Sequence, residues 1–217
     1  MTMIIGVAVK PKGGRRPFFL MGSDSKRVDL MDIVDGEYVL EVDEDFDKIY
    51  KIGEKLLGMA GAFPPEIFEV FPDFLNENIC NMENTCEIAF NFVKDYLLQA
   101  EIPDGINYLR LRAIIGSMEK GYPQIATLTF DTRDISQSGY ILKSQENYGF
   151  IVEFIGNTRK TEDLQIKFKH DNQTKNKNLS MLEVEKYARE YLTESVKRYP
   201  DKCNQKIVFK KLLAASK

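Results

Sequence analysis

The residue with the clearest chemical potential is Thr2, which stands behind Met1 and ahead of the apolar run MIIGVAV. Its β-branched side chain suits a strand start, but its hydroxyl would be a nucleophile if Met1 were removed. The freed α-amine, with an ordinary pKa of about 7.7–8.0, could then take the hydroxyl proton. That base needs no histidine, and the chain has one, His170, in the polar stretch KFKHDNQTKNKN. This stretch reads as a solvated loop, whereas a catalytic imidazole must be held within hydrogen-bond reach of its proton. Histidine-dependent chemistry is therefore not expected. Cys80, Cys86 and Cys203 are odd in number and form no CxxC pair, which argues against a disulfide framework or a zinc site.

Other clusters read as structural. Asp43, Asp45 and Asp47 alternate as a half-exposed strand would present them, and calcium is not expected there. Lys10, Lys12, Arg15 and Arg16 make a small basic loop without interleaved aromatics, so nucleic acid is not expected either. The phenylalanines at 67–74 and 90–92 read as core or subunit contact and not as a cofactor box. No cofactor or metal is anticipated.

The elements that must position Thr2 come from periodicity. The 217 residues, 43% hydrophobic and 29% charged, describe a globular chain, and the net charge of −3 exerts no general pull on polyanions. No basic n-region precedes the first apolar run, and no run approaches the ~20 residues of a bilayer span. A cytoplasmic protein without membrane contact is expected, folded as a single domain over residues 1–217. Strands are predicted at 3–9, 18–24, 35–42, 46–52 and 55–62. Helices follow at 65–79, where Pro72 can bend the axis, and at 84–100. Strands resume at 108–117, 123–131, 139–144 and 148–156. The polar segment 157–178 has no clear assignment and reads as an exposed excursion. Ser180 and Glu183 form a capping box, with Leu179 and Val184 as its staple, and open a helix to about 198. A strand over 205–213 closes the pattern. This order lacks strict βαβ alternation and fits two antiparallel sheets with helices on their outer faces.

Several local sequences, in order, resemble the proteasome β-subunit family of N-terminal nucleophile hydrolases, in its bacterial, HslV-like form. Thr2-Met3-Ile4-Ile5-Gly6-Val7 is similar to the family's opening, GSDSKR around Asp24 to the end of its second strand, DKIYKI to its lysine-bearing strand, and LLGMAGA to its glycine-bearing strand end. The resemblance implies an α+β fold, a four-layer αββα sandwich of two antiparallel sheets. It implies Thr2 as nucleophile, Lys48 as the cation that lowers the α-amine pKa, Asp24 as the group that orients Lys48, and the Gly61 N–H as oxyanion donor. Each residue keeps a structural alternative: a strand start for Thr2, a turn for Asp24, a solvent-facing position for Lys48, a kink for Gly61. The second half departs from the family pattern. Asn157 stands where a serine is usual, and Asp201 is the only acidic candidate near Tyr199–Lys202.

The function so implied is a threonine-type peptidase acting on peptide or protein substrates inside a self-compartmentalised homo-oligomer, with an ATP-dependent unfoldase as a possible partner. A catalytically silent protein of the same fold and a non-proteolytic amidase are the rival readings.

Overall fold

The computed structural model describes residues 2–34, 37–102, 107–156, 158–174, 179–200 and 203–215. Strands β1 (Met3–Lys10) and β2 (Phe18–Asp24) pair antiparallel through the turn that contains Gly13 and Gly14, with Ile4 opposite Ser23 and Val9 opposite Phe18. A two-stranded excursion follows, β3 (Arg27–Val34) with β4 (Glu37–Asp43). The chain then builds β5 (Ile49–Ile52) and β6 (Lys55–Ala62) around a tight turn at Gly53. Helices α1 (Ile67–Glu77) and α2 (Met82–Gln99) come next, then β7 (Arg110–Glu119), β8 (Tyr122–Asp131), β9 (Gly139–Ser144) and β10 (Gly149–Gly156). Helices α3 (Glu162–Thr174) and α4 (Met181–Lys197) precede the last strand, β11 (Ile207–Leu213).

One sheet has the order β10-β1-β2-β11 and the other β5-β6-β7-β8-β9, with every pairing antiparallel. Strand alternation divides their side chains between three apolar layers. Ile4, Ala8, Phe19 and Met21 meet Leu56, Ala60, Ile114 and Ile125 between the two sheets. Met3, Ile5, Val7, Phe18 and Leu20 face α4, which supplies Val184, Ala188 and Leu192. Leu57, Met59, Leu111 and Ala113 face α1 and α2, which supply Phe71, Cys86, Ala89 and Val93. The result is the αββα sandwich that the sequence led us to expect. Glycines let the sheets approach: a Cβ on Gly116 would lie 2.0 Å from the Phe19 ring.

Two elements differ from the sequence reading. The acidic region after Asp24 contains β3, so six strands precede the first helix. Residues 162–174, left without an assignment, form α3, whose inward contacts are few: Phe168 is buried and Leu164 partly so against the α4 layer. His170 consequently lies on an exposed helical face, not in a loop. The Ser180–Glu183 capping box forms, with Leu179 and Val184 both buried. Pro72 is accommodated within α1, where its missing N–H removes one helical bond. Phe68 and Phe71 are buried within the protomer, so their presence does not itself call for a subunit contact. Asp45 and Asp47 do not lie in a strand; they pair with Lys206 and Lys210 at 2.6 Å each. No helix among the described residues is long and apolar enough to cross a membrane.

Candidate active site

The site is assembled where β1 begins, β2 ends and β5 is about to start. The β1–β2 register brings Met3 next to Asp24, and the Met3 N–H donates to Asp24 Oδ1 at 2.8 Å. The Lys48 ammonium donates to Asp24 Oδ2 at 2.9 Å, and the Lys26 N–H reaches the same oxygen at 3.2 Å. Both charged side chains of the pair are fully buried, so the solvent-facing alternative for Lys48 does not hold. Burial pushes the Lys48 pKa below the usual lysine range, and the Asp24 carboxylate opposes that shift by attracting the charge. On the other side of β2, β11 pairs with Ile207 opposite Asp24.

Thr2 is buried and directly precedes the N–H that Asp24 anchors. Alternation carries it onto the face of Ile4 and Ala8, toward the space between the sheets. Among the described residues the Lys48 ammonium donates to Asp24 and makes no hydrogen bond to the Thr2 hydroxyl. The carboxylate, the ammonium and the main chain behind Thr2 therefore form one connected unit.

Gly61 lies near the end of β6, opposite Leu111 of β7, with its backbone exposed. Any side chain there would drive Cβ to 1.9 Å from the Arg110 carbonyl oxygen, which gives the glycine a packing reason of its own. The β5–β6 ladder ends at Gly58, whereas β6–β7 pairing runs on to Ala62, so Met59–Ala62 are paired on one side only. Met1, Asn157 and Asp201 lie outside the described residues.

A polar layer that the sequence reading missed supports the Asp24 turn. Asn204 Oδ1 accepts from the Ser25 N–H at 3.1 Å, and its amide donates to the Glu44 carbonyl at 2.6 Å and carboxylate at 2.9 Å. The Ser25 hydroxyl donates to the Glu44 carbonyl at 2.8 Å, and Lys26 pairs with Glu44 at 3.2 Å. These bonds, the Asn204 amide foremost, hold the Glu44 carboxyl below the usual range. Cys203 is buried close enough to the pair to feel both charges, and burial pushes its thiol up to about 12. Only the adjacency of Ser25 to Asp24 hinted at this layer; nothing local marks Asn204.

One glycine is tied to the position of Thr2 itself. Gly156 pairs with Met3 at φ +100°, and a Cβ on it would fall 1.7 Å from the Thr2 carbonyl oxygen. Gly156→Ala is expected to cost about 1–3 kcal/mol in chemical denaturation. It should also displace the Thr2 main chain from its anchor on Asp24.

Two stacked antiparallel sheets between two helical layers make up an αββα sandwich, and a buried Asp–Lys pair lies at the strand end behind Thr2. The chain is similar to the solved structure of Anbu from Hyphomicrobium sp. strain MC1, at 10% identity and a TM-score of 0.57, covering 94% of this chain and 80% of that one. It is also similar to Thiobacillus denitrificans BPH, solved in complex with epoxomicin, at 9% identity and a TM-score of 0.55, covering 98% of this chain and all of that one. No family model matches the sequence, and no curated protein does. The expected placement in the proteasome β-subunit family, in an HslV-like form, is therefore corrected. The likeness is one of fold, to the structures of Anbu and BPH, at identities too low to carry that assignment.

Proposed function

We propose that this protein is an N-terminal threonine hydrolase that cleaves peptide bonds, with Thr2 as nucleophile after removal of Met1. The observation that carries the reading is the buried Lys48–Asp24 pair bonded to the main chain at Met3, one residue from Thr2. A buried ion pair costs desolvation and is weak evidence for stability alone, so its placement behind a threonine calls for a further reason. In the reaction, the Thr2 α-amine takes the hydroxyl proton as Oγ attacks the scissile carbonyl. The amine then protonates the leaving amine, and in the second half of the cycle it activates the water that hydrolyses the ester. The Lys48 ammonium disfavours a second nearby positive charge and keeps the amine available as base. Asp24 fixes both the ammonium and the backbone from which the nucleophile projects. Gly61, on the one-sided stretch of β6, offers its N–H to the oxyanion.

The working form in this reading is a homo-oligomer enclosing the sites. Its support is the outer face of α1 and α2, where Phe74, Phe92 and Tyr96 stack in a row and Val70, one turn before Phe74, is exposed.

The test combines the intact mass of the purified protein with hydrolysis of unstructured peptides. Loss of Met1 together with peptide cleavage is the expected result. Epoxomicin, which BPH binds, should raise the melting temperature of the processed protein and not that of Thr2→Ala. Cleavage of small amides without peptides would select the amidase reading. A processed protein that cleaves neither would be a silent member of the fold.

A further inference from the structure

At the end of the sandwich away from Asp24 and Lys48 lies an open cleft of about 1110 Å³. The eight residues of β1 separate the two ends by about 23 Å, at ~3.3 Å per residue. The cleft is formed by the β1–β2, β5–β6 and β7–β8 connections, the approach to β10 and the residues that follow β11. Its charge is one-sided: Lys10, Arg15, Arg16, Lys51 and Lys120 line it against a single carboxylate, Glu54. The chain as a whole carries a net charge of −3, so this concentration of cations is a local feature. Arg16, Lys51 and Lys120 make no ion pair among the described residues.

One of these charges is held in place, and another sits on a hairpin tip of unusual conformation. The Lys10 ammonium sits over the Tyr122 ring at 4.3 Å and faces Tyr148 at 5.5 Å, and it donates to the Glu146 carbonyl. Lys120 occupies the left-handed region at φ 52°, beside Gly121 at φ 79°. For a lysine that conformation costs roughly 1–2 kcal/mol, where asparagine or glycine would adopt it readily. It is the one non-glycine residue with positive φ among those described, and it projects the tip of the β7–β8 hairpin into the cleft wall.

We propose that this cleft binds a ligand carrying consecutive phosphate groups, such as a nucleoside triphosphate or an inorganic oligophosphate. The cations come from several separate connections, so a ligand must meet them with several charges at once, which a lone carboxylate cannot do. Phosphate chains concentrate charge over a few ångströms, and guanidinium groups recognise them with paired hydrogen bonds. The volume also suits a ligand of that size, being near the upper limit of the usual ~300–1,000 Å³ for small-molecule sites.

The experiment is calorimetric titration of the full chain with sodium triphosphate, ATP and an oligoglutamate peptide, repeated over a range of KCl concentrations. Saturable 1:1 binding of triphosphate that weakens with salt is expected. The combined variant Arg16→Gln, Lys51→Gln, Lys120→Asn should bind at least tenfold more weakly at a melting temperature no lower than that of the unaltered chain, because asparagine adopts the turn readily. ATP binding as tightly as triphosphate would show that phosphates alone are read. Tighter ATP binding would add a contact to the base, and both outcomes uphold the proposal. Absence of saturable triphosphate binding, equal binding by the folded variant, or binding of oligoglutamate but not triphosphate would overturn it. Thr2→Ala should bind as the unaltered chain does, so the result stands apart from any outcome for hydrolysis.

Discussion

Thr2→Ala should abolish peptide hydrolysis, with a loss on the order of 10³-fold or more, because the substitution removes the only nucleophile in the proposed reaction. Thr2→Ser should keep a measurable fraction, since it preserves the hydroxyl and the amine and loses only a methyl group. Neither change should disturb folding: Thr2 lies outside the regular hydrogen bonding of β1, and the anchor to Asp24 is made by the N–H of Met3. Melting curves and peptide cleavage measured on the same samples separate the two effects. Undiminished cleavage by Thr2→Ala would remove the enzyme reading.

The second large effect concerns stability. Asp24→Ala should destabilise the chain by about 3–5 kcal/mol, because it leaves the fully buried Lys48 ammonium without a partner. Two backbone donors, at Met3 and Lys26, lose their acceptor in the same step. For a chain of this length, about 2–4 °C per kcal/mol makes this a drop of roughly 6–20 °C. Lys48→Met should cost less, since it fills the same space with an apolar group and Asp24 retains both N–H donors.

The pH dependence carries a sign. The folded-state pKa of Lys48 is lowered, so between that value and the ordinary 10.5 the unfolded chain holds a proton that the folded chain has released. Stability from this group therefore rises with pH through that window. Cys86 and Cys203 act in the opposite sense: burial pushes both thiols up to about 12, so above pH 9 only the unfolded chain ionises them and stability falls. The comparison that isolates Lys48 is the difference between the unaltered chain and Lys48→Met across pH 8–10.5. A difference that does not change with pH would show that Lys48 keeps its ordinary pKa.

What was legible in the sequence follows from how locally each feature is encoded. β1 and β2 announce themselves because both faces are buried and the run is continuously apolar. Helix α4 is marked by a capping box that spans only four residues. Helix α3 escaped because so few of its residues turn inward, which leaves almost no amphipathic signal in a lysine-rich segment. β3 was hidden by the acidic residues within it. At the site, Asp24 and Lys48 were named through a resemblance, since nothing local tells a lysine before Ile-Tyr that its partner lies 24 residues upstream. The Asn204 bridge was beyond reach for the same reason in stronger form. Its value lies in a contact between segments that only the finished fold brings together.

That last contact bears on how the molecule comes to be competent. The carboxylate of Asp24 is shaped by neighbours drawn from almost the whole length of the chain: β11 beside it, and Asn204 reaching Ser25 across a separation of 179 residues. Forming contacts of such high order means meeting the loop-closure entropy of the long intervening segments. A nascent or partly folded chain thus holds Thr2 beside an unfinished acid turn. Alongside removal of Met1, the completion of folding would then be a second condition for the proposed chemistry.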